Sequence, residues 1–441
     1  MTEPVRRAGV FALLGTLSLA VPLFGPRVAA ALAAVVLLGA FVVTDGPVFD
    51  LLAYPGDYED GRLYGLITFV LAGVALGLIA AQSSMPTAVF VGTVFLIGYG
   101  NVGERLVRTR TDRDVVHATV FCLAATAAAV VGQAAALGLA GVPIEPDAPT
   151  ILFLAASGAL LAALLRDVLL LYDDPVVMLS VGFLLWLLAE LDPTLGTAEI
   201  AVALAVTVAL GYVSYALETA SIAGMLTGVL LGLLTIVLGG YGWFAVLISF
   251  FAIGGLSTKF RYDQKEDLGV AEENNGARGT GNVLGNAAVG LVAVLGYAAS
   301  SADLLPVEST LFLFAFAGSV ATAMSDTLSS EIGSVFETPR LITTLEPVEP
   351  GTDGGVTWQG EIAGLVGAGI VAVISYGLFP EVGPVGAAII VAAGFVGMTV
   401  DSLLGATLEG SLLGNQGVNF LATLSGALVC ALLVLSLAIF G

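Results

Sequence analysis

The chain has 441 residues, of which 58% are hydrophobic and 11% charged, and its mean hydropathy is +1.01. A soluble globular domain carries charge on about a quarter of its residues, so this composition excludes one and specifies a polytopic membrane protein. With 35 acidic residues against 14 basic ones it also excludes a nucleic-acid binder. The net charge of −21 is the acidic surface of a protein adapted to high salt, and it needs no basic partner to explain it.

An apolar stretch of about 20 residues crosses the hydrocarbon core. Spans are predicted at 8–24, 27–44, 63–82, 86–102, 115–139, 150–171, 176–190, 197–215, 220–238 and 241–257, then at 281–299, 307–326, 358–378, 383–405 and 418–440. The expected fold is therefore all-α, with about 15 transmembrane helices. Arg6 and Arg7 precede the first span and read as cytoplasmic anchors. Alternation from that start places RLVRTRTDRD (105–114), the loop holding Lys259 to Arg278 and the loop around Arg340 inside, with the C-terminus outside. The acidic stretch from Asp45 to Asp60 also falls inside, against the trend. A multi-pass protein of the cell membrane is expected, with its N-terminus in the cytoplasm. Cys122 and Cys430 sit in apolar runs and read as small core residues. His117 lies outside every polar cluster.

Polar residues divide the chain into an N-terminal helical region, 1–190, and a second region, 197–441, that holds nearly every cluster with chemical potential. The longest is GGLSTKFRYDQKEDLGVAEENNGARGTGNVLGN, 254–286, which contains both lysines of the chain, Lys259 and Lys265, beside Arg261 and Arg278. Glycine backbone N–H groups, including those of Gly279 and Gly281, are suited to cradling phosphate, with the cations neutralising its charge. Topological bias alone also accounts for basic residues in a cytoplasmic loop. It does not account for the glycines and for Asn274, Asn275, Asn282 and Asn286 in the same stretch.

Further clusters follow. ATAMSDTLSSEIGS, 321–334, places Asp326 and Glu331 at the end of an apolar helix, and VDSLLGATLEG, 400–410, places Asp401 within one. Carboxylates there are costly unless paired or bound to a cation. EPGTDGGVTWQGEI, 349–362, reads as a turn, and GNQGVNF, 414–420, brings Asn415, Gln416 and Asn419 to the mouth of the last span. The loops 258–280, 327–357 and 406–417 all fall on one side of the membrane by alternation, so these groups form one composite site.

The motifs STKFRYDQKEDLGVAEENNGARGTGNVLGN, SDTLSSEIG, PGTDGGVTWQG, DSLLGATLEG and NQGVNF, in that order over roughly 200–441, resemble the membrane family that includes plant phytyl phosphate kinase and transmembrane protein 19 (domain of unknown function 92). The resemblance implies transfer of a phosphoryl group from a nucleoside triphosphate, CTP, to an isoprenoid monophosphate. On that reading Asp326, Glu331 and Asp401 bind Mg²⁺, whose hard character suits oxygen ligands. Lys259, Lys265 and Arg278, with Asp326, act in catalysis, and Gly279, Gly281, Asn286, Asn415 and Asn419 contact the nucleotide. The acceptor phosphate is already anionic at neutral pH and needs no general base. Within the first region GYGNVGERLVR, 98–108, resembles the glycine-rich stretch of phytol and dolichol kinases but lacks that motif's aspartate. Two other functions stay open at this point. One is a transporter with a midplane polar site, and the other a lipid-phosphate cytidylyltransferase using the same metal and phosphate groups.

Overall fold

The computed structural model describes residues 3–168, 174–268, 279–336 and 338–440. The chain divides into two compact units, Met1–Val202 and Ala203–Gly441. The boundary falls inside a helix, not in the connection between 190 and 197.

The first unit contains α1 (Glu3–Gly15), α2 (Ala20–Phe24), α3 (Pro26–Val42), α4 (Gly46–Leu52), α5 (Asp57–Asp60), α6 (Tyr64–Gln82), α7 (Thr87–Arg108), α8 (Asp114–Leu139), α9 (Ala148–Val168) and α10 (Asp174–Glu190). Helix α11 (Thr197–Ala216) spans the boundary. The second unit continues with α12 (Ile222–Gly239), α13 (Tyr241–Ser257), α14 (Tyr262–Asp267), α15 (Thr280–Ser301), α16 (Ser309–Gly333), α17 (Trp358–Leu378), α18 (Pro384–Leu408) and α19 (Asn415–Phe440). Between α16 and α17 lies a short antiparallel pair, β1 (Arg340–Leu341) and β2 (Gly355–Val356). It is the departure from an all-helical chain among the described residues.

Among the described residues, 11 helices are long and apolar enough to cross a membrane, fewer than the 15 or so expected. The difference has four sources. Helix α3 ends at a bend of 111° into α4, so 27–44 is half of a broken pair. Helices α10 and α13 have 17 residues each, short of a full crossing. Helix α7 is 22 residues long, but its C-terminal turns carry Asn101, Glu104, Arg105 and Arg108 and lower its hydropathy. All four segments are helical nonetheless, and the protein is an integral multi-span membrane protein.

Helix α16 is the spine of the second unit, the most buried of the long apolar helices. Its neighbours approach so closely that only glycine fits. A Cβ at Gly360, Gly364 or Gly367 of α17 would lie 2.7 to 2.9 Å from the carbonyl oxygens of Ser329, Ser325 and Met324. Those glycines recur at i, i+4 and i+7, one face of a helix. From α18, a Cβ at Gly397 would meet Thr322 Oγ1 at 2.1 Å, and from α19 one at Gly426 would meet it at 1.9 Å. Such small-residue faces are how helices associate where lipid removes the hydrophobic drive to pack. Thr322 Oγ1 donates to Gly318 O at 2.9 Å, which satisfies the hydroxyl inside the bundle.

Short connections make successive helices antiparallel. Gly240 alone joins α12 to α13 and adopts φ +94°, a conformation open to glycine and strained for any L side chain. The other tight corners, Gly242 against Phe379 and Gly386 against Phe314, occupy that same end of the bundle. The opposite end therefore collects the start of α12, the end of α13, α14, the start of α15, the end of α16, the start of α17, the end of α18 and the start of α19.

Candidate functional site

That opposite end is where the polar clusters meet. Asp326, two turns before the end of α16, and Asp401 of α18 face each other, and their carboxyl groups share a hydrogen bond. The Oδ1 atom of Asp401 is buried and has no hydrogen-bond partner among the described residues. A polar oxygen left in that state costs several kcal/mol in an apolar setting, so it marks a place where a ligand would be favourable.

Glu331 lies about a turn and a half further along α16 but does not join this pair. It is paired with Lys265, whose ammonium also donates to Ser257 O and Thr258 O at 3.2 Å each. Lys265 is 1% exposed and Glu331 9%. The lysine thus caps the carboxyl end of α13, the favourable place for a cation on the helix dipole. Gln264 Nε2 donates to Val335 O at 3.0 Å and ties α14 to the chain after α16 beside it. The expected cluster of three carboxylates is therefore split: Asp326 and Asp401 are together, while Glu331 is held by Lys265. Among the described residues no set of three His, Cys, Asp or Glu side chains is grouped to hold a metal ion. The Asp326–Asp401 pair does have the oxygen donors and the unsatisfied atom that a hard divalent cation needs.

Lys259 and Arg261 remain at the surface of this end, and each stacks on an aromatic ring, Lys259 Nζ at 5.8 Å from Tyr262 and the Arg261 guanidinium at 5.6 Å from Phe260. Arg261 occupies φ +47°, a rare backbone state for a non-glycine residue, at the tight corner between α13 and α14. Arg278, with Asn274, Asn275 and Gly276, lies outside the described residues.

The glycines of the loop have separate uses. Gly279 is the N-cap of α15 in an extended conformation, with no atom of the described residues within 4 Å of its Cβ position. It begins a 22-residue helix, and the first N–H groups of a helix are the usual kind of site for an anion. Gly281 and Gly285 instead admit Gln416 of α19, whose atoms lie 3.2 and 3.1 Å from their Cβ positions. Asn286 is buried and donates to Asn282 O at 3.0 Å within α15. Thr280 Oγ1 accepts from Thr227 Oγ1 of α12 at 3.3 Å.

At the start of α19, Asn419 Nδ2 donates to Asn415 Oδ1 at 3.3 Å. Asn415 also hydrogen-bonds Glu409, two turns beyond Asp401 on the α18 side. Burial pushes the Glu409 carboxyl above its ordinary value, the nearby Asp353 charge adds to this, and the bond from Asn415 opposes it. Glu409 belongs to the site but was not among the expected residues; its i+8 spacing from Asp401 on one helical face was the available signal. The loop is fixed from the other side by Gly354, at φ +73°, whose Cβ position lies 2.6 Å from Ala406 N and Ser402 O.

The site thus combines a half-buried carboxyl pair with a buried, unsatisfied oxygen, exposed cations, the N-terminus of α15 and a chain of amides. Such groups can hold an anionic phosphate ligand beside a divalent cation, with the apolar helices immediately behind. Residues 205–427, which contain all of these described groups, match the family described as Integral membrane protein DUF92. An uncharacterized membrane protein of Methanocaldococcus jannaschii is 34% identical over 216 residues, 48% of this chain and 85% of its own length. Protein VTE6, chloroplastic, of Arabidopsis thaliana is 35% identical over 221 residues, 48% of this chain and 65% of its own length. Protein PGR of the same plant is 30% identical over 231 residues, 42% of this chain and 79% of its own. No solved structure matches the chain. With more than half of its length matched by the family model, and in the unit that holds the site, the chain belongs to the DUF92 family of integral membrane proteins.

Proposed function

We propose that the second unit is a prenyl phosphate kinase, moving the γ-phosphoryl group of CTP or another nucleoside triphosphate to an isoprenoid monophosphate. The observation that supports this best is the meeting of Asp326 with Asp401 at the membrane-helix end that also presents Lys259, Arg261 and the N-terminus of α15. The sequence motifs that resemble phytyl phosphate kinases lie in the same place. An oxygen of the acceptor monophosphate attacks the γ-phosphorus, the bond from that phosphorus to the bridging oxygen breaks, and CDP leaves. The acceptor's second ionisation lies near pH 6, so no general base is required.

The chain's own part is positioning and charge compensation. Asp326 and Asp401 would hold Mg²⁺, which supplies compensation for the charge on the phosphate oxygens. Lys259 and Arg261 attract the polyanions at the surface. The first N–H groups of α15 after Gly279 orient a phosphate, and Asn415 and Asn419 contact the nucleotide. Asn286 supports Asn282 from within α15. Lys265 and Glu331 act through the fold: they neutralise each other and fix α14 against α16.

The test is incubation of purified protein in high salt with labelled CTP, Mg²⁺ and geranylgeranyl or phytyl monophosphate, followed by separation of lipid products. A prenyl diphosphate with CDP is the expected outcome. A CDP-lipid with pyrophosphate makes the protein a cytidylyltransferase, and no product with any triphosphate, in protein shown to be folded, refutes the enzyme reading.

A further inference from the structure

The first unit contains a cavity of about 470 Å³ that the proposed phosphoryl transfer does not use. Its wall includes four arginines, Arg7, Arg105, Arg108 and Arg166, against the carboxylates Glu104 and Asp174. In a chain with 14 basic residues in all, that is a marked concentration. Asn101, Glu104, Arg105 and Arg108 recur at i, i+3, i+4 and i+7 on α7 and so present one helical face to the cavity. Arg7, Arg105 and Arg108, which by sequence mark the cytoplasmic side, are thus built into a concave site together with Arg166.

The site is rigid. Arg166 bridges Asp174 at 2.9 Å and Glu104 at 3.3 Å, and Glu104 also holds Arg108 at 2.8 Å. Asp57, fully buried, accepts from Tyr54 N at 2.8 Å and Tyr64 N at 3.0 Å and fixes the loop that carries Tyr54. Arg7 lies 4.2 Å over the Tyr54 ring and donates to Ala53 O. Gly65 leaves room for that ring on α6, since a Cβ there would come within 2.4 Å of it. Burial pushes the Tyr54 phenol up to about 12, with the Asp174 charge adding to the effect, so it remains a hydroxyl at neutral pH.

The network does not satisfy everything it contains. Among the described residues neither Arg7 nor Arg105 has a carboxylate within ion-pair range, whereas Glu104 and Asp174 are both ion-paired, Glu104 Oε2 without a hydrogen bond. Asn101 donates to Asp174 at 3.1 Å, while its Oδ1, in a residue 8% exposed, has no partner. Among the described residues, cations in excess over anions in the wall of a concave site call for an anion, and an unpaired acceptor beside them calls for a ligand that also donates.

Further along the same helices is a second cavity, of about 100 Å³, lined by apolar side chains apart from Ser18. Leu14 and Gly15 of α1, Phe69 and Gly73 of α6, and Phe90 and Val94 of α7 contribute to it. Each of these helices also contributes to the arginine cavity, through Arg7 and Phe11, Gly65 and Thr68, and Asn101 and Arg105. The polar mouth and the apolar slot are therefore consecutive along α1, α6 and α7. We infer that the first unit binds an amphiphile bearing a phosphate monoester, its head among Arg7, Arg105 and Asn101 and its chain in the slot between α1, α3, α6 and α7. A monoester at the pH where it keeps one proton also supplies the donor that Asn101 Oδ1 lacks. The inference stands on the first unit alone, which lies outside residues 205–427, and does not depend on the kinase reading.

The experiment uses the full chain in lipid nanodiscs and a long-chain alkyl monophosphate with a photoactivatable diazirine in its tail, with labelled peptides located by mass spectrometry. Labelling of α1, α3 and α6 is expected, suppressed by unlabelled alkyl monophosphate and not by the corresponding alcohol or by inorganic phosphate at equal concentration. Arg105→Gln, which breaks no ion pair among the described residues, should weaken competition about tenfold, as loss of one charge-assisted bond does. Arg105→Lys should retain most of it, and Arg7→Gln should repeat the loss from a different helix. Unchanged thermal unfolding of each variant keeps the result separate from misfolding. Asp326→Asn in the second unit should leave this labelling as it is. Labelling absent from the first unit, or indifferent to both arginine replacements, overturns the inference. Equal competition by inorganic phosphate overturns the amphiphile and leaves a free-phosphate site.

Discussion

Lys265→Met separates the two roles that a buried lysine near phosphate-binding groups can have. In the structure its ammonium is 1% exposed and serves Glu331 and two carbonyl oxygens. Removing it leaves a carboxylate that is 9% exposed without its counter-charge, and breaking such a pair on one side costs about 3–5 kcal/mol. Lys265→Met with Glu331→Leu removes both charges and leaves only the two carbonyl oxygens short of a donor. That variant should regain more than half of the loss, because a buried pair replaced by apolar side chains of similar size is often neutral. Unfolding in mixed micelles by titration with sodium dodecyl sulfate, followed by tryptophan fluorescence, measures each variant, and the cycle isolates the coupling. A single variant as stable as the wild type refutes the reasoning, as does a double variant no better than the single one. Loss of phosphoryl transfer at unchanged stability would return Lys265 to the phosphate-contacting role its sequence context implies.

Asp326→Asn should abolish product formation in the kinase assay while the thermal unfolding curve stays close to that of the wild type; full turnover would remove Asp326 from the mechanism. On α17, Gly367→Ala brings a Cβ to 2.9 Å from Met324 O, a backbone atom that cannot swing aside, and should cost about 1–3 kcal/mol. Gly369→Ala, two residues on and with nothing within 4 Å, should be neutral or stabilising by about 0.5–1 kcal/mol. Equal effects at both positions would contradict the glycine seam on α16. Glu409 titrates above its ordinary 4.5 in the folded protein, so its ionisation works against the fold: its contribution is fully present below that value and is lost as pH rises through the raised one. Glu409→Gln should therefore stabilise the protein at neutral pH and lose the advantage in acid, which thermal unfolding across a pH series would reveal.

Much of the helical plan was legible because span length and apolarity are local properties. The hairpin at Gly239 and Gly240 was likewise readable, two glycines between apolar runs too close to permit anything but reversal. The gathering of the 258–280, 327–357 and 406–417 loops at one end followed from alternation, even though the span count was too high. The excess came in part from α7, whose polar C-terminal turns bury Asn101 and Glu104 in protein. Composition alone does not distinguish that from lipid. Side-chain partnership was less legible still. Lys265 and Glu331 are 66 positions apart, and nothing local to either distinguishes a lysine aimed at a phosphate from one aimed at a carboxylate. Gly281 and Gly285 carried the same ambiguity, since glycine spacing that admits a phosphate also admits the side chain and backbone of Gln416.

The contact of Gly354 with α18 has a mechanical corollary. Backbone meets backbone there, at 2.6 Å from the Cβ position to Ala406 N and Ser402 O, and Ser402 is the residue next to Asp401. No flexible side chain lies between to take up a displacement, and close-packed interiors pass strain on. A tilt or slide of the last turns of α18 therefore carries the β1–β2 hairpin with it as a lever carries its arm. Any shift of Asp401 that accompanies occupancy of the carboxyl pair is thereby converted into motion of an exposed loop, where a spectroscopic label on Thr352 could report it from outside the membrane.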